Sequence, residues 1–248
     1  MMKKRHRILG IIPARGSSKS IPKKNIAPLL GKPLISYTIE EALKSRFLTK
    51  LIVSSDDDKV IKIAKKYGAE VPFKRPKELA EDTTPTLPVV QHVVKMMEGL
   101  NKITYDWIVL MHATTPLKTV EDIDNAIQKA IKSGADSVAS VVRVLDYHPM
   151  KMKKIENDRL VEFSDELAAI RGGEMVRRQD LPPAYIRNDC VYVTKRDVLM
   201  KENSFFGKDC RPYIMPEERS YNIHEKHDLL IVDALMKAMR KGKFQRTR

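Results

Sequence analysis

Ile8-Leu9-Gly10-Ile11-Ile12-Pro13-Ala14-Arg15-Gly16-Ser17-Ser18-Lys19-Ser20-Ile21-Pro22-Lys23-Lys24-Asn25 is the stretch whose reading decides the fold. Five apolar residues with no helical period run straight into a loop dense in Arg, Lys, Ser and Gly. A buried parallel strand delivering a polar loop to the end of a sheet has this form, and α/β sheets bind ligands at that edge. Arg15, Lys19, Lys23 and Lys24 supply positive charge, while Gly16, Ser17 and Ser18 allow close backbone approach and offer N–H and hydroxyl donors. Such a loop suits a polyphosphate. It is neither G-x-x-x-x-G-K-[ST] nor G-x-G-x-x-G. A solvated basic loop is the plain alternative, but a strand end is a poor place to crowd four cations without an anion.

Outward from the loop, strands and helices alternate. Leu34 to Arg46 reads as a helix with Leu34, Tyr37, Ile39 and Leu43 on one face, and Leu51 to Ser55 as a β-branched strand. Asp56-Asp57-Asp58 opens the next helix, Val60 to Tyr67, either by capping its free N–H groups or as a cation site; capping is the favoured reading. Gly68 ends that helix, and Ala69 to Phe73 reads as an edge-like strand. A helix over Leu87 to Met97, with Thr86 able to cap it, precedes a buried strand, Trp107 to Met111. Thr119-x-x-Asp122 is a capping box opening a helix to Lys132, and Asp136 to Val144 is a strand. This order specifies an α/β chain, a doubly wound, largely parallel sheet flanked by helices. From 146 to 185 the alternation gives way to an irregular, charged stretch of the kind that is usually functional or an interface. Arg187 to Thr194 returns to the sheet, Arg211 to Met215 is a further strand, and Glu225 to Arg240 is a closing amphipathic helix.

The 248 residues suit one sizeable domain, 1–248, with 146–185 as an excursion within it, and the 42% hydrophobic share fits a soluble globule. There is no run of 18 apolar residues, so no membrane span is expected. The basic residues 3–7 precede too short an apolar run for a signal peptide. Cys190 and Cys210 are too few and too far apart for a disulfide framework or a CxxC device, which points to a reducing cytoplasm. The net charge of +14 is the footprint of a phosphate-backbone binder, but it is spread over helix faces and both termini with few interleaved aromatics. No nucleic-acid partner is therefore expected, and a polyanionic small substrate explains the charge as well.

The run I-I-P-A-R-G-S-S-K-S-I-P-K-K-N, followed by Gly31-Lys32-Pro33-Leu34, resembles the signature of the acylneuraminate cytidylyltransferase family, the CMP-sialic acid synthetases. The resemblance extends in ordered segments over nearly the whole chain, through Arg75-Pro76-Lys77-Glu78-Leu79-Ala80-Glu81-Asp82-Thr83, His112-Ala113-Thr114-Thr115-Pro116-Leu117 and Arg177-Arg178-Gln179-Asp180-Leu181-Pro182-Pro183. It implies a nucleotide-diphospho-sugar transferase-like variant of the Rossmann fold and transfer of CMP from CTP to an acidic 2-keto sugar, sialic acid or a related nonulosonic acid, with release of pyrophosphate. By this likeness Ala14, Arg15, Lys19, Lys24, Asn25, Arg75, Thr84 and Thr86 hold the nucleotide, with Arg15, Lys19 and Lys24 catalytic. His112, Thr114, Arg178, Gln179, Asn188, Tyr192, Phe205 and Phe206 are placed at the sugar, with core packing the alternative for the two phenylalanines. The segment 177–183 matches one that crosses a homodimer, which implies composite active sites.

Two positions depart from the pattern. The family reads Gln where this chain has His112, and it reads E-R-S-x-D-I-D where this chain has Glu218-Arg219-Ser220-Tyr221-Asn222-Ile223-His224. The two aspartates of that motif hold magnesium, and Asn222 and His224 stand in their places. Magnesium prefers carboxylate, phosphate and water oxygens, so the expected ion, Mg2+ or Mn2+, has a weakened protein site. Three readings stay open: the full transferase, a catalytically impaired nucleotide- or sugar-binding relative, and a nucleotidyltransferase for a different base or acidic sugar.

Overall fold

The computed structural model describes residues 6–164 and 177–241. β1 (Ile8–Pro13) lies between β4 (Lys50–Ser54) and β5 (Trp107–Leu110), parallel to both. β6 (Ser137–Val144) and β10 (Cys210–Met215) pair in parallel on the other side. Between the two groups runs β9 (Ala184–Lys195), antiparallel to β5 and to β6, giving the order β10-β6-β9-β5-β1-β4. The sheet is thus mixed and mainly parallel.

Alternation along β1 explains why both faces are covered. Ile8 and Ile12 point into one apolar layer with Ile35, Val60 and Ile123. Leu9 and Ile11 point into the other, with Val90, Val93 and Leu199. The first layer is closed by α1 (Leu34–Leu43), α2 (Asp58–Lys66) and α4 (Val120–Ser133), the second by α3 (Thr86–Asn101) and α5 (Arg196–Lys201). A strand buried on both sides reads as an unbroken apolar run. α6 (Lys226–Arg240) packs its Val232, Leu235 and Met236 with Ile223 against Ile21, Leu29 and Leu34, underneath the basic loop.

Several local expectations meet their reasons here. Asp57 is the N-cap of α2, accepting from the N–H groups of Lys59 and Val60 at 2.8 and 3.0 Å, as the capping reading of the acidic triplet requires. Asp122 accepts from the Thr119 N–H at 3.0 Å, closing the predicted capping box. The strand expected over Ala69 to Phe73 reduces to one bridge between Ile52 and Glu70, because Pro72 has no N–H to continue a ladder. Thr86 does not cap α3: it is that helix's first residue, the cap position falls to Pro85, and no side chain caps it. α1 is buried nearly all round rather than on one face, and Leu43, expected inside, is 48% exposed.

Two hairpins carry little sequence signal. Pro28–Leu29 (β2) and Lys32–Pro33 (β3) pair around Leu30 and Gly31, both at positive φ. Within 146–185, read as irregular, Lys153–Glu156 (β7) pairs with Arg159–Glu162 (β8) across Asn157 and Asp158, at φ 50° and 61°. Two left-handed residues in a two-residue loop match the right-handed twist of the flanking strands.

Candidate active site

The basic loop leaves β1 at Ala14, which is buried with its N–H on the Ser54 carbonyl at 2.9 Å. Two aspartates from the start of α2 set its path. Asp56 accepts from the Gly16 N–H at 3.0 Å, and a Cβ on Gly16 would come within 2.4 Å of the Asp57 Cβ. Only glycine fits there, since real Cβ atoms do not approach so closely. Asn25 donates to the Arg15 carbonyl at 2.9 Å and so closes the loop on itself. The Lys24 ammonium donates to the carbonyls of Ile223 and His224 at 3.1 and 2.9 Å. Burial pulls its pKa below the usual lysine range, and Glu225 and Asp228 pull the other way.

Arg15, Ser17, Ser18, Lys24, Asn25, Arg75, Thr84, Thr86, His112 and Thr114 line one cavity of about 340 Å³. The loop cations form one wall; the end of β5, continuing into His112 and Thr114, forms another. Five donor-rich loop residues facing a titratable strand-end residue can hold a polyphosphate beside a second polar substrate. Lys19 projects outside, 80% exposed, and pairs with Asp82 at 3.3 Å. Asp82 also pairs with Arg15 at 3.1 Å, and Arg15 donates to the Glu81 carbonyl at 3.0 Å. A carboxylate therefore sits on two of the cations assigned to the triphosphate.

Other expected residues are engaged by the protein itself. Arg75 is buried, donating to the Ser54 carbonyl and to Ser54 Oγ, and burial lowers its pKa to about 10. It ties the end of β4 to the 79–86 segment while one edge reaches the cavity. Thr84 donates to the Glu78 carbonyl at 3.1 Å. Asn188 is buried, its oxygen on Ser140 Oγ at 2.6 Å and its nitrogen on Ser220 Oγ at 2.8 Å. Its amide thus ties β6 and β9 to the 216–220 segment. Phe206 meets Tyr192 edge to face at 5.8 Å, under the guanidinium of Arg187 at 4.7 Å, and Phe205 packs on the core beside it. Gln179 is exposed in a short 3-10 turn, Arg178–Asp180; the side chain of Arg178 and residues 165–176 of the predicted excursion lie outside the described residues.

One site residue had gone unassigned. Between Arg187 and Tyr192 the register of β9 breaks, so that Asn188 to Val191 stand opposite Ser140 alone. Such a bulge re-aims side chains. Asp189 sits at its crest at φ 56°, its carboxylate held by the Tyr192 hydroxyl and by Asn222 Nδ2 at 3.2 Å. Its carbonyl lies 3.0 Å from His112 Nδ1. Only the tolerance of Asp for left-handed backbone hinted at this in the sequence.

Residues 9–213 match the cytidylyltransferase family. The chain is 33% identical over 236 residues to a pseudaminic acid cytidylyltransferase of Campylobacter jejuni, spanning 95% of this chain and 99% of that protein. The chain belongs to the cytidylyltransferase family. It is also 31% identical over 229 residues to a CMP-N,N'-diacetyllegionaminic acid synthase of the same organism, 92% of this chain and 94% of that one. In fold it is similar to a solved CMP:2-keto-3-deoxy-manno-octonic acid synthetase complexed with CTP, with a TM-score of 0.69 over 94% of this chain and 99% of that one, at 16% identity.

As a cytidylyltransferase this chain has an unusual 222–224 segment. Asn222 gives its amide nitrogen to Asp189, and its oxygen is buried without a partner. The His224 carbonyl receives the Lys24 ammonium, and its N–H goes to Asp228 at 2.8 Å. Among the described residues no three His, Cys, Asp or Glu side chains gather where they could hold a metal ion. A single neutral amide oxygen and an imidazole do not fit magnesium.

Proposed function

We propose that this cytidylyltransferase moves CMP from CTP to an acidic 2-keto sugar of the nonulosonic class, releasing pyrophosphate. The observation that carries the reading is the shared cavity: Arg15, Lys24 and Asn25 on one wall, His112 and Thr114 on the other. In-line displacement at phosphorus depends mainly on positioning and on stabilising negative charge as it develops. Lys24 and Arg15 supply that stabilisation at the triphosphate. In this reading the base rests beside Thr86, which lines the cavity from the first turn of α3. The pseudaminic and legionaminic names of the relatives support the nine-carbon class of acceptor. The divalent cation enters in this reading as part of the substrate, carried in on the triphosphate.

We also infer a homodimer with composite sites. Ile155 and Leu160 form a cross-strand pair on the β7–β8 hairpin and are 76% and 71% exposed, with Tyr147, Phe163 and Ile186 exposed nearby in sequence or along β9. An apolar strip of this kind suits a second copy of the chain. Among the described residues no helix is long and apolar enough to cross a membrane, and two free cysteines support a cytoplasmic setting.

The decisive experiment is pyrophosphate release from each of the four nucleoside triphosphates, crossed with a panel of 2-keto acidic sugars, in magnesium, manganese and EDTA. Release with CTP and one nonulosonic acid is expected; release with another nucleotide, or with none, would overturn the reading. The loss of carboxylates at Asn222 and His224 favours a second reading, a binding relative, whose mark is CTP binding with no turnover.

A further inference from the structure

His112 is fixed from several sides. Its carbonyl accepts from Lys118 Nζ at 2.8 Å and from Thr115 Oγ1 at 3.1 Å, which clamps the backbone at the exit of β5. Tyr192 meets its ring edge to face at 6.3 Å. The carbonyl of Asp189, 3.0 Å from Nδ1, can only accept, so Nδ1 carries the hydrogen and donates it. Nε2 is then left with a bare lone pair. No described residue hydrogen-bonds it, and it is not among the buried unpartnered atoms, so it opens on the cavity that His112 lines with Lys24.

This arrangement is more than packing. The bulge at 188–191 places Asp189 in left-handed backbone, a conformation that Asp tolerates better than most residues. It is the conformation that turns the Asp189 carbonyl to His112 while Tyr192 and Asn222 hold its carboxylate. A carbonyl or carboxylate on one imidazole nitrogen sets the tautomer and makes the other the proton acceptor.

We propose that His112 Nε2 is the base that removes the proton from the attacking hydroxyl. This rests on the nucleotidyl-transfer reading above. As the acceptor oxygen forms its bond to the α-phosphorus of CTP, its proton passes to Nε2. The bond from the α-phosphorus to the bridging oxygen breaks, and pyrophosphate leaves with the electron pair. The imidazolium then returns the proton to water. The surroundings suit both stages: burial and Lys118 keep the ring neutral before attack, the Asp189 carboxylate and carbonyl steady the proton once it arrives, and Arg15 and Lys24 across the cavity oppose a lasting positive charge.

The test uses the full chain, CTP and whichever acidic sugar supports turnover, and compares wild type with H112Q and H112A by pyrophosphate release from pH 5 to 9. CTP affinity is measured in parallel by calorimetry. Wild type is expected to lose kcat/KM for the sugar on the acid side with unit slope, at a pH below the ordinary imidazole value of about 6.5, because burial lowers the pKa of His112. H112Q is expected to fall about 10²-fold or more and to lose that acid limb, with CTP affinity within threefold of wild type. Added imidazole should restore part of the H112A rate. H112Q turning over within threefold of wild type with the same acid limb would overturn the base assignment and leave the transfer reading standing. A wild-type chain that binds CTP and releases no pyrophosphate with any acceptor would overturn both.

Discussion

Lys24 donates its ammonium hydrogens to the carbonyl of His224 at 2.9 Å, joining the basic loop to a segment 200 residues further on. The contact holds the loop in place, and in the proposed reading Lys24 also presents charge to the triphosphate. Lys24→Ala should lower kcat about 10²- to 10³-fold, the size of a lost charge-stabilising donor, while the circular dichroism spectrum and melting temperature stay near wild type. An unchanged rate would remove Lys24 from the mechanism.

Asp82 pairs with both Arg15 and Lys19, and in the proposed reading a bound triphosphate displaces it. These pairs are partly solvated and each contributes less than about 1 kcal/mol. Asp82→Asn should therefore tighten CTP binding about two- to fivefold, read by calorimetry. Weaker binding would mean that Asp82 helps to form the site rather than shielding it.

Asp122 is fully buried and receives Arg219 Nε at 2.9 Å, Arg219 Nη2 at 3.0 Å, the Tyr213 hydroxyl at 3.1 Å and the Thr119 N–H at 3.0 Å. Removing one partner of such a pair leaves a buried charge uncompensated. Asp122→Ala should lose about 3–5 kcal/mol of stability, a fall of roughly 10 °C in Tm for a chain of this size. Differential scanning calorimetry would decide it; a shift under about 3 °C would show the pair to be dispensable.

Ile155 and Leu160 are a matched pair on an exposed hairpin. Ile155→Glu with Leu160→Glu should turn a dimer into monomers, as measured by light scattering after gel filtration, and should reduce turnover if the sites are composite. A wild-type monomer, or a double variant that still dimerises, would remove the hairpin from the interface.

Two imidazoles are held below their ordinary range: His112 chiefly by burial, and His92 by burial reinforced by Arg75 and Lys95. The unfolded chain takes up these protons more readily than the folded one, so stability falls as pH drops below about 6.5. Urea midpoints at pH 7 and pH 5 should differ more for wild type than for the H92Q H112Q double variant. Equal slopes would mean that neither histidine titrates on unfolding.

Legibility followed the physics of each segment. β1 and its loop were readable because an apolar run buried on both faces and a cation-rich strand end have few other interpretations. The capping roles of Asp57 and Thr119 were readable because a cap is a local event. Asp189 was not, because it gains its place from a register break against Ser140 on a strand distant in sequence. Asp82 was quoted only as part of a segment, since pairing with Arg15 is a matter of loop path. The partners of Asn188 were hidden for the same reason: nothing local shows that Ser140 and Ser220 would claim its amide. The β7–β8 hairpin was hidden by its composition, in which lysine and glutamate interrupt the few apolar residues that mark a strand.

The position of β9 bears on how the chain folds during synthesis. Without residues 184–195 the sheet is two unconnected pieces, β4-β1-β5 and β6-β10, each with a bare edge at β5 or β6. Pairings this distant in sequence form slowly, and bare edges invite association with other chains. The growing polypeptide must therefore wait for residues 184–195 before its central seam can close, and the strand that closes it also brings in Asp189. A chain interrupted before that point would keep both edges open to other chains.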